Sequence, residues 1–379
     1  VGAATGKMIS VAKALTSAGR KATIISLLPA KASWAKPWFS TRLMHGDGVP
    51  VVFISCTQSN VLRKIFGPII LACVAGRIIR RHDKVIFYNH ALEYLPTLLF
   101  LRFRGIPFYQ DVEDIPTPQD TGIRGLIDRA AFRLMLKLSE PKKVTVSYQV
   151  AERLKIPCFM PIHGVVLAAD RRDVERESGE AWASLSSNGP LRVHYGGSIE
   201  KRTGLQIFCD AISHLQRDDH HLLRSIELIV TGVGDLETIR KLAAALRSEK
   251  VRILVMGALP PAAYKSVLNS SHASLILKLP DDPISQTTFP SKAIEIAAAG
   301  RAIISTRVSD LPRIFDDDAI WFLPEATGSA LAQILRSAAN SPETVVSRAK
   351  RAQALVKQHY AAKRIGQKLT NFLDTEGRQ

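Results

Sequence analysis

The sequence predicts an α/β protein made of two open, mostly parallel sheets with helices on both faces. Three observations predict it. At 379 residues the chain is too long for one ordinary hydrophobic core. Short apolar, β-rich runs alternate with helically periodic segments, and they do so in two series. Between the series, residues 168–190 (with RRDVERESGE and then SLSSNG) are polar and aperiodic.

In the first series the predicted strands are 22–28, 51–55, 85–88, 107–111 and 144–147, with helical patterns at 7–18, 92–104 and 126–138. In the second they are 191–195, 226–230, 251–255, 273–277 and 302–305, with helices near 204–215, 236–246, 262–268 and 291–299. The expected organisation is a first domain over 1–165, a linker and surface loop over 166–190, and a second domain over 191–345. Val1-Gly2-Ala3-Ala4-Thr5-Gly6 reads as the glycine-rich turn that follows the first strand of such a sheet. No strand precedes it, and a missing central strand would leave backbone groups unpaired, so a truncated start is expected.

Hydrophobic content of 46% and charged content of 22% fit a soluble globular protein without solenoid repeats or low-complexity tracts. Cys56, Cys73, Cys158 and Cys209 are far apart and form no CxxC, which suits a reducing cytoplasm and argues against a disulfide scaffold or a zinc site. No signal peptide is visible, and the longest apolar run, residues 66–79, contains Arg77 and is too short to span a bilayer. The net charge is +17. It is concentrated in residues 1–160, where 23 lysines and arginines face 10 acids, +13 net. Such an excess favours nucleic acid or an anionic membrane. No helix-turn-helix, zinc-finger or base-stacking pattern is present, so nucleic acid is not expected as a partner. Residues 62–81 mix apolar runs with Arg63, Lys64, Arg77, Arg80 and Arg81. They read either as an interfacial helix on an anionic leaflet or as a core helix with a charged end.

The most informative stretch is FPSKAIEIAAAGRAIIST, residues 289–306. Pro290 suits a helix start and Gly300 a helix exit, so the helix points its first N–H groups, Ser291 and Lys292 into the preceding loop. Such an end attracts phosphate. Glu295 lies one turn inward, about 6 Å along the axis, the step from a nucleotide's phosphates to its ribose hydroxyls. A solvated helix charge is the alternative, but the flanking Ile294, Ile296 and alanines favour a ligand role. A second candidate is Tyr195-Gly196-Gly197-Ser198-Ile199-Glu200-Lys201-Arg202-Thr203-Gly204: an apolar strand, paired glycines that admit a close phosphate, and two cations for a diphosphate. A plain βα turn reads equally well. Val230-Thr231-Gly232-Val233-Gly234-Asp235 is a weaker strand–glycine–helix signal and lacks the third glycine of a dinucleotide fingerprint. In the first half, His90 ends one strand, and Asp111, Glu113 and Asp114 end another. Strand ends are where open α/β sheets gather binding groups. The acids could position an acceptor hydroxyl and take its proton or cap the turn before Pro116; Glu113 and Asp114 are the better candidates.

The 289–306 segment resembles the donor-nucleotide helix of the family-4 retaining glycosyltransferases, enzymes of GT-B architecture with two Rossmann-like domains facing a cleft. The resemblance covers the layout of most of the chain, and its sharp motifs cover residues 196–204 and 289–306. It implies a metal-independent enzyme that moves a sugar from a nucleoside-diphosphate donor to a glycan or lipid-linked acceptor, without a cofactor, in cell-surface polysaccharide synthesis. The setting it implies is cytoplasmic, at the inner face of the cell membrane. It also implies that C-terminal helices, residues 346–379, cross back to the first domain. The implied donor set is Gly2, Gly196, Gly197, Lys201, Arg202, Gly232, Gly257 (beside the base), Thr288, Ser291, Lys292 and Glu295. The implied catalytic set is His90, Glu113, Asp114 and Arg202. Two departures stand out: Thr287 replaces the family's first acid, and Gly197 its usual arginine. They keep open a catalytically weak GT-B binding or regulatory subunit. A nucleotide-sugar epimerase would need a further acid pair in the second domain, which is absent from the sequence.

Overall fold

The structure, a computed structural model, describes residues 3–27, 39–46, 48–57, 59–116, 122–167 and 171–375. The chain divides into two units, Val1–Leu167 with Ala361–Gln379, and Ala168–Tyr360.

The first unit runs α1 (Ala3–Ser17), β1 (Ile24–Leu27), β2 (Ser40–Gly46), β3 (Val49–Ser55), α2 (Asn60–Ile78), β4 (Val85–Tyr88), α3 (Leu95–Phe103), β5 (Phe108–Val112), α4 (Gly122–Leu138), β6 (Lys143–Thr145), α5 (Tyr148–Arg153) and β7 (Phe159–Pro161). Its strands form two sheets, β1-β3-β2 and β4-β5-β6-β7. All pairings are parallel except β2 with β3, an antiparallel strand that the sequence reading did not anticipate. Its polar Ser40-Thr41-Arg42 start conceals it, and it joins the sheet at the edge.

The second unit contains α6 (Arg171–Ser186), β8 (Leu191–Ile199), α7 (Leu205–Arg217), β9 (Ile226–Gly234), α8 (Leu236–Ala245), β10 (Val251–Gly257), α9 (Pro261–Ser270), β11 (Ala273–Ile276), α10 (Lys292–Ala298), β12 (Ala302–Ser305), α11 (Leu311–Ile314), β13 (Trp321–Phe322), α12 (Gly328–Asn340) and α13 (Pro342–Tyr360). One all-parallel sheet runs β10-β9-β8-β11-β12-β13. Leucine, isoleucine and valine from β8, β9, β11 and β12 form its core with the buried faces of α7 and α12. The strand order reverses between β8 and β11, and the crevice at the carboxyl ends there is where doubly wound sheets take ligands.

Two expectations are corrected. Most of the stretch expected as linker and surface loop is the helix α6. Its last turns bury Ala181 and Leu185, and Trp182 lies over the Arg301 guanidinium and beside the His272 ring. Three apolar residues at the end of a polar run escape a periodicity reading. The C-terminal region divides at Tyr360, not at 346: α13 belongs to the second unit and buries Val345, Ala349, Ala352 and Val356 at helical spacing.

The last helix, α14 (Ala362–Asp374), packs against α1. It buries Ile365, Leu369 and Leu373, and Val166 bridges to Ala361 just ahead of it. Lys84 and Lys142 donate to the carbonyls of Leu373 and Phe372, a cationic cap suited to the negative end of a helix. Gly366 is where the two helices touch: a Cβ there would stand 1.9 Å from the Ala14 carbonyl oxygen. Gly366→Ala should therefore cost about 1–3 kcal/mol through overpacking. A urea titration checks this, and an unchanged midpoint would mean that the two backbones do not meet there.

Candidate functional site

Strands β8 and β9 do not stop at Tyr195 and Val230. They run on through the glycines in register, Gly196 opposite Thr231, Gly197 opposite Gly232 and Ile199 opposite Gly234. Gly232 has φ 120°, and a Cβ on it would lie 1.9 Å from the Gly197 carbonyl oxygen. Its glycine thus answers to the neighbouring strand. Gly196 and Gly197 make a different kind of room. A Cβ on Gly196 would meet the His194 ring at 2.5 Å, and one on Gly197 would meet the Lys292 Nζ at 3.0 Å. The expected turn of paired glycines is therefore strand, and the bend comes later, at the 3-10 turn Lys201–Thr203. Thr203 Oγ1 ties that turn to Ser198 and Glu200. Lys201 and Arg202 are exposed on it, with Arg202 Nε 3.4 Å from Glu200 Oε2. Gly257 sits at a register slip that ends β10.

Helix α10 begins at Lys292, two residues after Pro290, and leaves through Gly300 with φ 68°. Ser291 is exposed and makes no capping bond. Ala293, Ile294, Ile296 and Ala297 are buried, which leaves Lys292 and Glu295 together on the face turned from the core. Lys292 makes no hydrogen bond and no ion pair among the described residues. Its ammonium lies 5.4 Å from the centre of the Tyr264 ring. Burial pulls its pKa down, and the Glu295 charge partly restores it. Water reaches Glu295, yet the surrounding protein raises its pKa, offset by Lys292. Behind the pair, the Tyr264 ring meets the His194 ring at 5.7 Å, and His194 Nε2 is 2.8 Å from Thr231 Oγ1. Burial, with the Lys292 charge, lowers the His194 pKa to about 4, so the ring is neutral at neutral pH.

The loop between β11 and α10 adds residues that the sequence reading missed. Lys278 Nζ donates to Thr288 Oγ1 at 2.7 Å, and its carbonyl accepts from Thr306 Oγ1 at 2.5 Å. The signal for it was a lysine inside the apolar run 273–279. Thr288 in turn donates to the Ile284 carbonyl. Thr287 is buried, and its hydroxyl turns to the carbonyls of Pro283 and Ile284. Nothing in the sequence singled out Tyr264 or His194, which act through ring contacts.

In the first unit the candidates separate. The His90 side chain is buried, with both ring nitrogens facing oxygen acceptors, Asn89 Oδ1 at 3.0 Å and Asp128 Oδ2 at 3.2 Å, and its ring packs edge-on to Phe132. It joins the end of β4 to α4. Asp114 is exposed and accepts from Asn89 Nδ2 at 3.3 Å. Glu113 and Asp111 are buried around the Lys7 ammonium from α1: Lys7 pairs with Glu113 and lies 3.8 Å from Asp111. The Tyr88 hydroxyl is 3.5 Å from Glu113. Burial, then the Asp111 charge, pushes the Glu113 carboxyl up to about 8 against the pull of Lys7. Gly2 lies outside the described residues.

Residues 190–341 match the sequence profile of the family described as Glycosyl transferases group 1. No curated protein matches the chain. Among solved structures, the chain is similar to Anabaena Alr3699/HepE in complex with UDP and glucose, with a TM-score of 0.66 and 14% identity over 99% of this chain and 96% of that one. It is similar to sucrose-phosphate synthase from Thermosynechococcus elongatus, with a TM-score of 0.68 and 12% identity over 98% and 93%. It is also similar to an α,α-trehalose-phosphate synthase (UDP-forming) from Burkholderia xenovorans, with a TM-score of 0.65 and 12% identity over 97% and 95%. At these identities the likeness is one of fold, and the fold is the GT-B architecture of two Rossmann-like domains.

Glu113 supplies a prediction. Its folded pKa of about 8 stands above the ordinary 4.5, so between those values the folded chain holds a proton that the unfolded chain has released. Its contribution to stability is complete below that window and is lost as pH rises through it. Melting temperatures from pH 5 to 9 should fall more steeply for the wild type than for Glu113→Gln. Equal slopes would remove Glu113 as the proton-binding group.

Proposed function

We propose that the chain is a retaining glycosyltransferase that moves a sugar from a nucleoside-diphosphate donor to a glycan or lipid-linked acceptor, in the assembly of cell-surface polysaccharide. The family match over residues 190–341 and the GT-B fold support the reading. HepE, one of the structures of like fold, was solved with UDP, with UDP-glucose, and with UDP and glucose. The observation that carries the proposal is the desolvated, unpaired ammonium of Lys292 beside Gly197, with the Glu295 carboxylate one helical turn away.

In this reading the Lys292 ammonium meets the donor diphosphate, and exposed Arg202 and Lys201 add mobile positive charge. Glu295 accepts hydrogen bonds from the ribose hydroxyls. As the bond from the anomeric carbon to the phosphate oxygen breaks, negative charge gathers on the diphosphate. Cations fixed there beforehand stabilise that charge most in the transition state. The acceptor oxygen bonds to the anomeric carbon on the face the phosphate leaves, and its proton passes to a leaving phosphate oxygen. No metal is required where lysine and arginine neutralise the diphosphate. In the first unit, exposed Asp114 orients the acceptor, while His90 and Glu113 hold the strand ends that carry it.

A second reading, a binding or regulatory subunit without efficient turnover, is favoured by Thr287, whose hydroxyl is spent on its own loop where the family places an acid. Calorimetric titration with nucleoside diphosphates, followed by assay of donor hydrolysis, separates the two. Lys292→Met or Glu295→Gln should weaken diphosphate binding by about ten- to a hundredfold, the loss of one charge-assisted contact. No binding by the wild type would end both readings; binding without any sugar release would leave the subunit.

The same proposal places the first unit on an anionic membrane surface. Val61, Leu62, Ile65, Phe66 and Ile69 form an exposed apolar stripe on α2, with Leu71, Val74 and Ala75 buried behind it. Arg63 and Lys64 flank the stripe on either side, in a region that carries +13. No helix among the described residues is long and apolar enough to cross a membrane. The protein should float with vesicles containing phosphatidylglycerol at low salt and be released at high salt. Failure to float at low salt would remove the membrane from the proposal.

A further inference from the structure

A lysine side chain has four freely rotating bonds, and fixing its end costs conformational entropy. Lys292 is half-buried, and no hydrogen bond or ion pair among the described residues holds its ammonium. What lies against it is the ring of Tyr264, on the second turn of α9, where Val267 and Leu268 anchor the helix in the core. Tyr264 is itself fixed from behind. The His194 ring meets it edge to face with 65° between the planes, and His194 is held by Thr231. Gly196 leaves the room that the His194 ring occupies. The result is a stack across four elements: Thr231 on β9, His194 on β8, Tyr264 on α9 and Lys292 on α10.

We propose that Tyr264 is a positioning residue for the donor site: its ring face holds the Lys292 ammonium over Gly197, ready for a diphosphate. This rests on the donor-site reading above. The ring is the active part, because the hydroxyl is buried and has no hydrogen-bond partner. The electron-rich face of an aromatic ring attracts an ammonium, and the attraction grows where water is excluded. A neutral His194 behind the ring adds no repulsion. Lys292 thus keeps its charge in a site that would otherwise favour the neutral amine, and it keeps one location without a carboxylate that a diphosphate would have to displace.

The test is calorimetry with uridine, guanosine and adenosine diphosphates and with inorganic pyrophosphate, on the whole chain. Tyr264→Leu removes the ring and should weaken the tightest of these by about three- to thirtyfold, the range of a partly desolvated cation–ring contact. Tyr264→Phe keeps the ring and should restore wild-type affinity. The Tyr264→Leu, Lys292→Met double variant should bind no more weakly than Lys292→Met alone, because the ring acts through the lysine. Should Tyr264→Leu fail to fold, the wild type still decides. With lysines dimethylated by labelled formaldehyde, the Lys292 methyl signal, assigned by its loss in Lys292→Arg, should lie upfield from the ring current. Wild-type affinity in Tyr264→Leu, weak binding in Tyr264→Phe, additive losses in the double variant, or an unshifted methyl signal would each overturn the proposal. If Lys292→Met itself binds normally, the donor-site reading fails; if it binds weakly and Tyr264→Leu does not, the positioning role alone fails.

Discussion

An ammonium drawn partly out of water without a carboxylate on it is costly to a fold, and Lys292 is such a group. Several elements of the second unit meet around it. The sheet order places the end of β8 at the reversal point, and glycines at 196 and 197 leave room for the His194 ring and the Lys292 ammonium. The buried stripe of α10 fixes where the lysine and the glutamate one turn later emerge. Neither group is spent on the other: they influence each other's protonation without forming an ion pair. A protein that needed the two only for stability would gain by letting them touch. Held apart, each keeps its bonding capacity, as the donor-site proposal requires.

The architecture was legible because it rests on periodicity. The apolar runs at 85–88 and 302–305 became strands with those bounds, and Gly300 ended the helix that Pro290 introduced. The elements that escaped carry few apolar residues: β2 is half polar, and α6 packs Ala181, Trp182 and Leu185 inward at the end of a polar run. In the site, Lys292 and Glu295 could be named from their place on a short amphipathic helix. Tyr264, His194 and Lys278 could not, because their importance comes from neighbours distant in sequence: Tyr264 and Lys292 are brought together by the fold alone. The glycines were visible as glycines, but their purpose was not. A sequence shows that a backbone is bare; only the structure shows whether a ligand, a strand or a side chain fills the space. At 232 it is a strand, and at 197 it is a lysine. The acids after β5 follow the same logic. Three carboxylates in four residues read as one group, and the pleat of the chain sends Asp111 and Glu113 inward to Lys7 and Asp114 outward.

The return of α14 to α1 has a consequence for biosynthesis. The first unit includes residues 361–379, which leave the ribosome only after all of the second unit has been made. Domains generally fold as units during synthesis. Here the later-encoded unit has its full complement of strands and helices first, while the earlier one waits with the side of α1 that receives Ile365, Gly366 and Leu369 uncovered. For that interval the nascent chain displays an apolar groove whose occupant has not yet been translated, a natural place for a chaperone to act and for a premature stop codon late in the message to leave an incomplete first unit.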